Sequence, residues 1–241
     1  MKRFVTLVFL AAAIAVISAA TSAHVGSSAT RAARVVVETK FPAAGLLTVN
    51  SVVVRRRPAT TGGKVTTMTY FRPDYRAQEI LAVTAVTAPN GTPWYRISVP
   101  GRPNGRYGYI PAADAAVAPT VSQIVVNVSK RTIDVFRSGK HLLHAQVAVG
   151  APGMETPIGH YYVQVAFKPV NDPFLGVWAL ETSAYSKLSD WPGGGVVGIH
   201  GTNMPWLLGQ AVSHGCVRVS NATASRLKHL APVGTPVWIK P

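Results

Sequence analysis

Ser213-His214-Gly215-Cys216-Val217-Arg218, preceded by Gly198-Ile199-His200-Gly201-Thr202, holds the chain's single cysteine among glycines and two histidines. A free thiol at neutral pH is mostly protonated and needs a nearby base or positive field to act as a nucleophile. A histidine supplies that base. Glycines beside it let backbone N–H groups approach a substrate oxygen, and such amides stabilise a tetrahedral oxyanion. The residues around Cys216 therefore offer a nucleophile, a base and an oxyanion site together. A third group usually orients the imidazole. The nearest acidic residue upstream of His200 is Asp190, and the chain has only nine carboxylates, so a backbone carbonyl is a reasonable substitute. Two blander readings compete: an inert structural thiol, and a zinc site built from Cys216 and two histidines. The chain has no HxH, CxxC or HExxH spacing, so no metal or organic cofactor is called for. His24, His141, His144, His160 and His229 have no motif around them and read as structural or exposed.

Outward from this stretch, composition narrows the class. The 241 residues give room for one large domain or two small ones. Apolar residues make up 48% and charged residues 14%, a balance that excludes intrinsic disorder for the chain as a whole. With 21 glycines and 18 prolines the chain suits many short strands better than long helices. So few, scattered carboxylates make paired-carboxylate catalysis and an all-carboxylate metal site poor fits. The net charge of +15 raises nucleic acid as a partner. The N-terminus argues against it. Lys2 and Arg3 precede an apolar run from Phe4 to Ile17, and Thr21-Ser22-Ala23 ends in a small-residue cleavage pattern. The reading is a signal peptide over 1–23, with an uncleaved membrane anchor as the alternative, and an exported protein of the cell wall or periplasmic space. Such a basic protein meets anionic wall polymers rather than DNA. Arg55-Arg56-Arg57 reads as a solvated face, with wall binding as the alternative.

The organisation along the chain is mainly β. Residues 24–34 read as a flexible tether. From 35 to 117, short β-type runs (Leu46–Val49, Val52–Val54, Ile80–Val86, Trp94–Val99, Gly108–Ile110) alternate with turns such as Pro89-Asn90-Gly91 and Pro103-Asn104-Gly105. In the third run Leu81, Val83 and Ala85 fall on one face. Five or so strands in this space suggest a small barrel. Ala115 to Thr120 reads as a linker, and residues 118–241 as a second, β-rich domain with one or two helices. The clear helix starts at Asn221 as cap and ends before Pro232. Lys168 to Val197, with Trp178, Tyr185, Trp191 and Gly193-Gly194-Gly195, suits a mobile lid, with a surface loop of core-packed aromatics as the alternative.

The His-Gly-Thr and Ser-His-Gly-Cys-Val-Arg blocks resemble the signature of the L,D-transpeptidases, the YkuD-type catalytic domain. Val147-Ala148-Val149-Gly150 followed by Thr156-Pro157-Ile158-Gly159 resembles another segment of that family. Val125 to Lys140 resembles its opening hairpin and Gly234-Thr235-Pro236-Val237 its closing strand. The likeness covers 121–241 and is weakest over 168–197. Many members have Asn two residues after the Cys, where this chain has Arg218. Trp94-Tyr95-Arg96-Ile97 with Gly105 to Pro111 resembles the end of bacterial SH3-type domains, which serve as spacers or wall-binding modules.

The resemblance implies a small SH3-like barrel followed by a YkuD-type L,D-transpeptidase domain that acts on peptidoglycan stem peptides. It makes Cys216 the nucleophile and His200 the base, with Gly201 orienting His200 through its carbonyl. The backbone of His214, Gly215 and Cys216 would form the oxyanion hole. Ser213 would bond within the loop, and Arg218 would meet a donor carboxylate. A tetrapeptide donor would be joined to the side-chain amine of a neighbouring diamino acid in a 3→3 cross-link. Carbapenem-type β-lactams would acylate Cys216. The alternatives are an L,D-carboxypeptidase or cysteine amidase with the same nucleophile, or a non-catalytic wall-binding protein.

Overall fold

The computed structural model describes residues 39–190 and 192–241. The signal segment 1–23 and tether 24–34 read from the sequence lie outside them. Among the described residues no helix is long and apolar enough to cross a membrane.

The first sheet is antiparallel and holds seven strands, two more than the sequence suggests. They are β1 (Ala43–Leu47), β2 (Ser51–Arg55), β3 (Lys64–Thr69), β4 (Glu79–Thr87), β5 (Pro93–Val99), β6 (Arg106–Pro111) and β7 (Ala115–Pro119), in the order β3-β2-β6-β5-β4-β1-β7. Leu47, Val54, Ile80, Ile97 and Ile110 fill its core. The stretch read as a linker is strand β7: all five of its residues pair with β1. Ala and Pro residues give that strand no β signature, and it forms because β1 offers it an edge. In β4 a register shift between Ala82 and Thr84 changes which side chains face inward. Ile80 and Ala82 reach the core, Ala85 is exposed, and Leu81 and Val83 face a cleft shared with Tyr161 and Pro236 of the second domain.

The second domain holds β8 (Ser122–Asn127), β9 (Thr132–Arg137), β10 (Lys140–Gln146), β11 (Val149–Gly150), β12 (Gly159–Phe167) and β13 (Ala179–Tyr185). It continues with β14 (Val196–His200), β15 (Ala211–Ser213), β16 (Val217–Arg218), α1 (Asn221–Leu230) and β17 (Pro236–Lys240). Eight of these strands form one sheet in the order β10-β9-β8-β17-β12-β13-β14-β16, and β11 pairs β15 separately. Period-two burial is clear in β9, where Ile133 and Val135 point into the core and Asp134 points out. The α-helix is capped one residue earlier than the sequence suggests: Ser220 Oγ accepts from the Thr223 amide. Asn221 instead turns back to accept from the Val177 amide.

The stretch read as a lid is not one element. Its middle is β13, paired on both sides, with Leu180 and Ala184 fully buried. Before β13 the stretch holds a short turn at Pro173–Leu175.

Candidate active site

Parallel pairing of β14 with β16 sets Ile199 opposite Val217 and His200 opposite Arg218. Cys216 therefore enters β16 beside Gly198, and the Gly198 amide donates to Cys216 Sγ at 3.3 Å. His200 follows Gly198 by two residues, so its side chain leaves the strand on the same face. Both His200 and Cys216 line a cavity of about 330 Å³, together with Asp172, Phe174, Leu180 and Gly193.

The imidazole is held in one tautomer. His200 Nδ1 lies 2.6 Å from the Gly201 carbonyl, which can only accept, so Nδ1 carries the proton. The other nitrogen, Nε2, is buried with no partner among the described residues, and its lone pair is free to take a proton. No carboxylate is needed to orient the ring. Burial lowers the His200 pKa to about 4, and the Arg218 charge adds to this against the Gly201 hydrogen bond and Asp172. Burial raises the Cys216 thiol, although the Gly198 amide and Arg218 oppose it. Both shifts favour the neutral thiol and the neutral imidazole. Gly201 is required by packing as well, because a Cβ there would meet Asn221 Oδ1 and Gly176.

The loop before Cys216 is fixed by four hydrogen bonds. Ser213 Oγ donates to the Cys216 carbonyl and accepts from the Gly215 amide at 3.2 Å. Buried Thr156 donates to the Gly215 carbonyl at 2.9 Å. Ser186 Oγ donates to the His214 carbonyl at 3.0 Å. Gly215 has φ +115, and a side chain there would press on Ser186 and strain the backbone. The Gly215 amide is engaged within the loop in this state. Ser213, His214 and Gly215 adjoin Cys216 in this loop.

Arg218 lies 5% exposed with its guanidinium 4.4 Å from the centre of the Phe174 ring. Its Nε has no partner, and no carboxylate lies within ion-pair distance of it among the described residues. Burial lowers its pKa, yet an arginine stays charged. A buried cation without an anion is costly, and a substrate carboxylate would relieve it.

Residues 122–239 match the family model described as the YkuD L,D-transpeptidase catalytic domain. Over these residues the chain is similar to that family. The YkuD protein of Bacillus subtilis (strain 168) is 31% identical over 117 residues, which cover 48% of this chain and 64% of that protein. The YkuD protein of Bacillus licheniformis is 28% identical over 142 residues, covering 56% of this chain and 79% of that protein. An L,D-transpeptidase structure from Mycobacterium tuberculosis H37Rv has a TM-score of 0.45 at 16% identity, covering 68% of this chain and 90% of that chain. The L,D-transpeptidase 3 of Mycobacterium tuberculosis, solved with a faropenem-derived adduct, has a TM-score of 0.44 at 16% identity, covering 68% of this chain and 91% of that chain.

The second sheet does not hold this loop alone. The turn between β5 and β6 of the first domain reaches the end of β13. Asn104 accepts from the Tyr185 amide at 2.9 Å and donates to the Tyr185 carbonyl at 2.7 Å. Arg102 donates to the carbonyls of Ser186 and Leu188, both at 2.9 Å. Arg72 binds Glu181 at 2.9 Å. Ser186, gripped in this way, is the residue that holds the His214 carbonyl. Sequence reasoning reads residues 103–105 only as a turn and gives no signal for Ser186, since both contacts join residues far apart in the chain. Thr156 is the exception, because its Thr-Pro segment is visible in the sequence.

Proposed function

We propose that this protein is a peptidoglycan L,D-transpeptidase that forms 3→3 cross-links through a thioester on Cys216, exported to the cell wall or periplasmic space. The observation that carries this is the single cavity holding Cys216 Sγ against the Gly198 amide, with His200 presenting an unpartnered Nε2. In the first half-reaction Nε2 takes the thiol proton as sulfur attacks the carbonyl of the third stem residue. The C–S bond forms, the C–N bond to D-Ala breaks, and the imidazolium returns its proton to the departing amine. In the second, an acceptor amine attacks the thioester, giving its proton to His200 and releasing the thiolate, which is then reprotonated. Arg218 is the cation for a carboxylate of the donor peptide. A carbapenem would be opened by the same thiol and held as an acyl adduct.

The test is product mass spectrometry with disaccharide-tetrapeptide and the protein, alongside Cys216→Ala. The transpeptidase reading expects release of D-Ala and a cross-linked dimer, both absent from the variant. Tripeptide without dimer would transfer the assignment to an L,D-carboxypeptidase. Neither product, with Cys216 unmodified by a carbapenem, would overturn the catalytic reading and favour a wall-binding protein.

A further inference from the structure

The imidazoles of His141 and His144, which carry no motif in the sequence, converge on one carboxylate. His141 Nε2 lies 2.8 Å and His144 Nδ1 2.7 Å from the same oxygen of Asp134. Asp134 and His144 are cross-strand partners in the β9–β10 hairpin. In a regular strand, residues 141 and 144 would face opposite sides. A register shift between His141 and Leu143 removes that alternation and turns both rings to Asp134. The irregularity is anchored from outside the hairpin, because Arg226 of α1 donates to the Leu142 carbonyl. The Phe136 ring lies 5.0 Å from that of His141, which limits its rotation. One ligand atom from each of the three residues falls within 4.8 Å of the others.

We propose that Asp134, His141 and His144 form a binding site for a late first-row divalent metal, with zinc as the ion the donors suit best. Two imidazole nitrogens and a carboxylate oxygen are a usual zinc ligand set, whereas calcium and magnesium prefer oxygen alone. To bind, His141 Nε2 and His144 Nδ1 turn their lone pairs to the ion, each ring keeping its proton on the other nitrogen. Three protein ligands leave a fourth position for water or an anionic oxygen. The half-exposed rings give the ion direct access from solvent. A metal here would tie β10, the outer strand of the sheet, to β9. The site stands apart from the catalytic one. None of its residues lines the Cys216 cavity, and β10 and β16 are at opposite ends of the strand order.

Isothermal titration of zinc chloride into the tag-free chain tests this, with Cys216→Ala run in parallel to remove the competing thiol. The expected result is one zinc per chain in both proteins, and no heat with magnesium or calcium. Asp134→Ala or His144→Ala should weaken binding at least about tenfold, and His160→Ala should leave it unchanged. Circular dichroism of the variants separates lost ligands from lost fold. Two outcomes overturn the proposal: no zinc binding up to millimolar concentration, or binding that survives Asp134→Ala and disappears with Cys216→Ala.

Discussion

Around the first core, Leu47, Val54, Ile80, Ile97 and Ile110 pack with Ser98 as the only buried polar residue among those described. The second core closes over Thr156, Thr182, Ser186, His200, Ser213 and Arg218. Each buried polar group that lacks a partner costs about 1–3 kcal/mol. The second domain carries two such atoms at its site, His200 Nε2 and Arg218 Nε. His200 Nε2 has a free lone pair, and Arg218 Nε belongs to a cation with no carboxylate within ion-pair distance among the described residues. The first sheet has two as well, Trp94 Nε1 and Arg106 Nε, and neither lines the Cys216 cavity. It contributes polar contacts at the seam instead, through Arg72, Arg102 and Asn104. The two sheets thus differ less in how many unpartnered buried atoms they carry than in where those atoms lie.

The largest effect expected is at the base. His200→Gln keeps a polar side chain of similar length but removes the proton acceptor, and acylation should fall about a hundred- to ten-thousandfold. The pH dependence sharpens the point. With its pKa lowered to about 4, His200 is neutral throughout the ordinary range. Carbapenem acylation of the wild type should therefore hold from about pH 5 to neutrality and drop only as pH falls through about 4. Because the Cys216 thiol is raised, iodoacetamide alkylation should climb with pH across the neutral and alkaline range. An alkylation rate that is already maximal and flat from about pH 5 to 8 would reveal a resting thiolate–imidazolium pair and break the neutral-pair reading.

Arg218 tests whether an unsatisfied buried group is kept for function. Arg218→Ala should lower kcat/KM for the tetrapeptide about ten- to a hundredfold, the equivalent of about 1.5–3 kcal/mol for one charge-assisted bond. The same change removes an unpaired buried charge, so Tm should hold or rise. A variant that loses Tm and keeps kcat/KM would make Arg218 a packing residue over Phe174 and nothing more.

The seam gives a smaller effect. Arg102→Ala combined with Asn104→Ala removes four hydrogen bonds that fix the end of β13. Each contributes about 1 kcal/mol net, so urea unfolding should show a loss of a few kcal/mol. Acylation should slow severalfold in kcat with little change in KM, because Ser186 then holds the His214 carbonyl less firmly. Unchanged kcat in a destabilised variant would confine the first domain to a structural role.

These cases also show what the sequence could and could not disclose. That Cys216 and His200 share one cavity was legible because they lie within two short stretches. Strands with period-two burial, such as β9, were legible for the same local reason. β7 was not, since Ala115–Pro119 has no β preference of its own and pairs only because β1 is there. β13 was hidden among aromatics and glycines that suggest a loop, yet it is paired on both sides. Gly195 illustrates the difficulty: with φ +76 and the Leu188 carbonyl against the position of a Cβ, its replacement would distort the backbone and say nothing about lid motion. The grip of Arg102 on Ser186 and Leu188 spans more than eighty positions, and local spacing carries no trace of it.

The smallest effect separates the two domains most cleanly, because it concerns the seam and touches no catalytic group. Glu79 opens β4 and is partly buried between the sheets. Its side chain packs beside Gly234, where an added Cβ would come within 2.9 Å of Oε1, and its own carbonyl accepts from the Tyr162 phenol. Burial raises its pKa from 4.5 to about 7. The unfolded chain therefore releases this proton near pH 4.5, while the folded protein keeps it until about pH 7. Between those values the folded state binds more protons than the unfolded one, so stability falls as pH rises. Glu79→Gln removes the ionisation. It should leave Tm nearly unchanged at about pH 4.5 and raise stability at about pH 8 by about 1–2 kcal/mol, after allowance for the solvent-exposed part of the group. Acylation of Cys216 should not respond at either pH. A Tm difference that stays constant with pH would mean that the glutamine alters packing against Gly234, and the seam would then be set by shape and not by the protonation of Glu79.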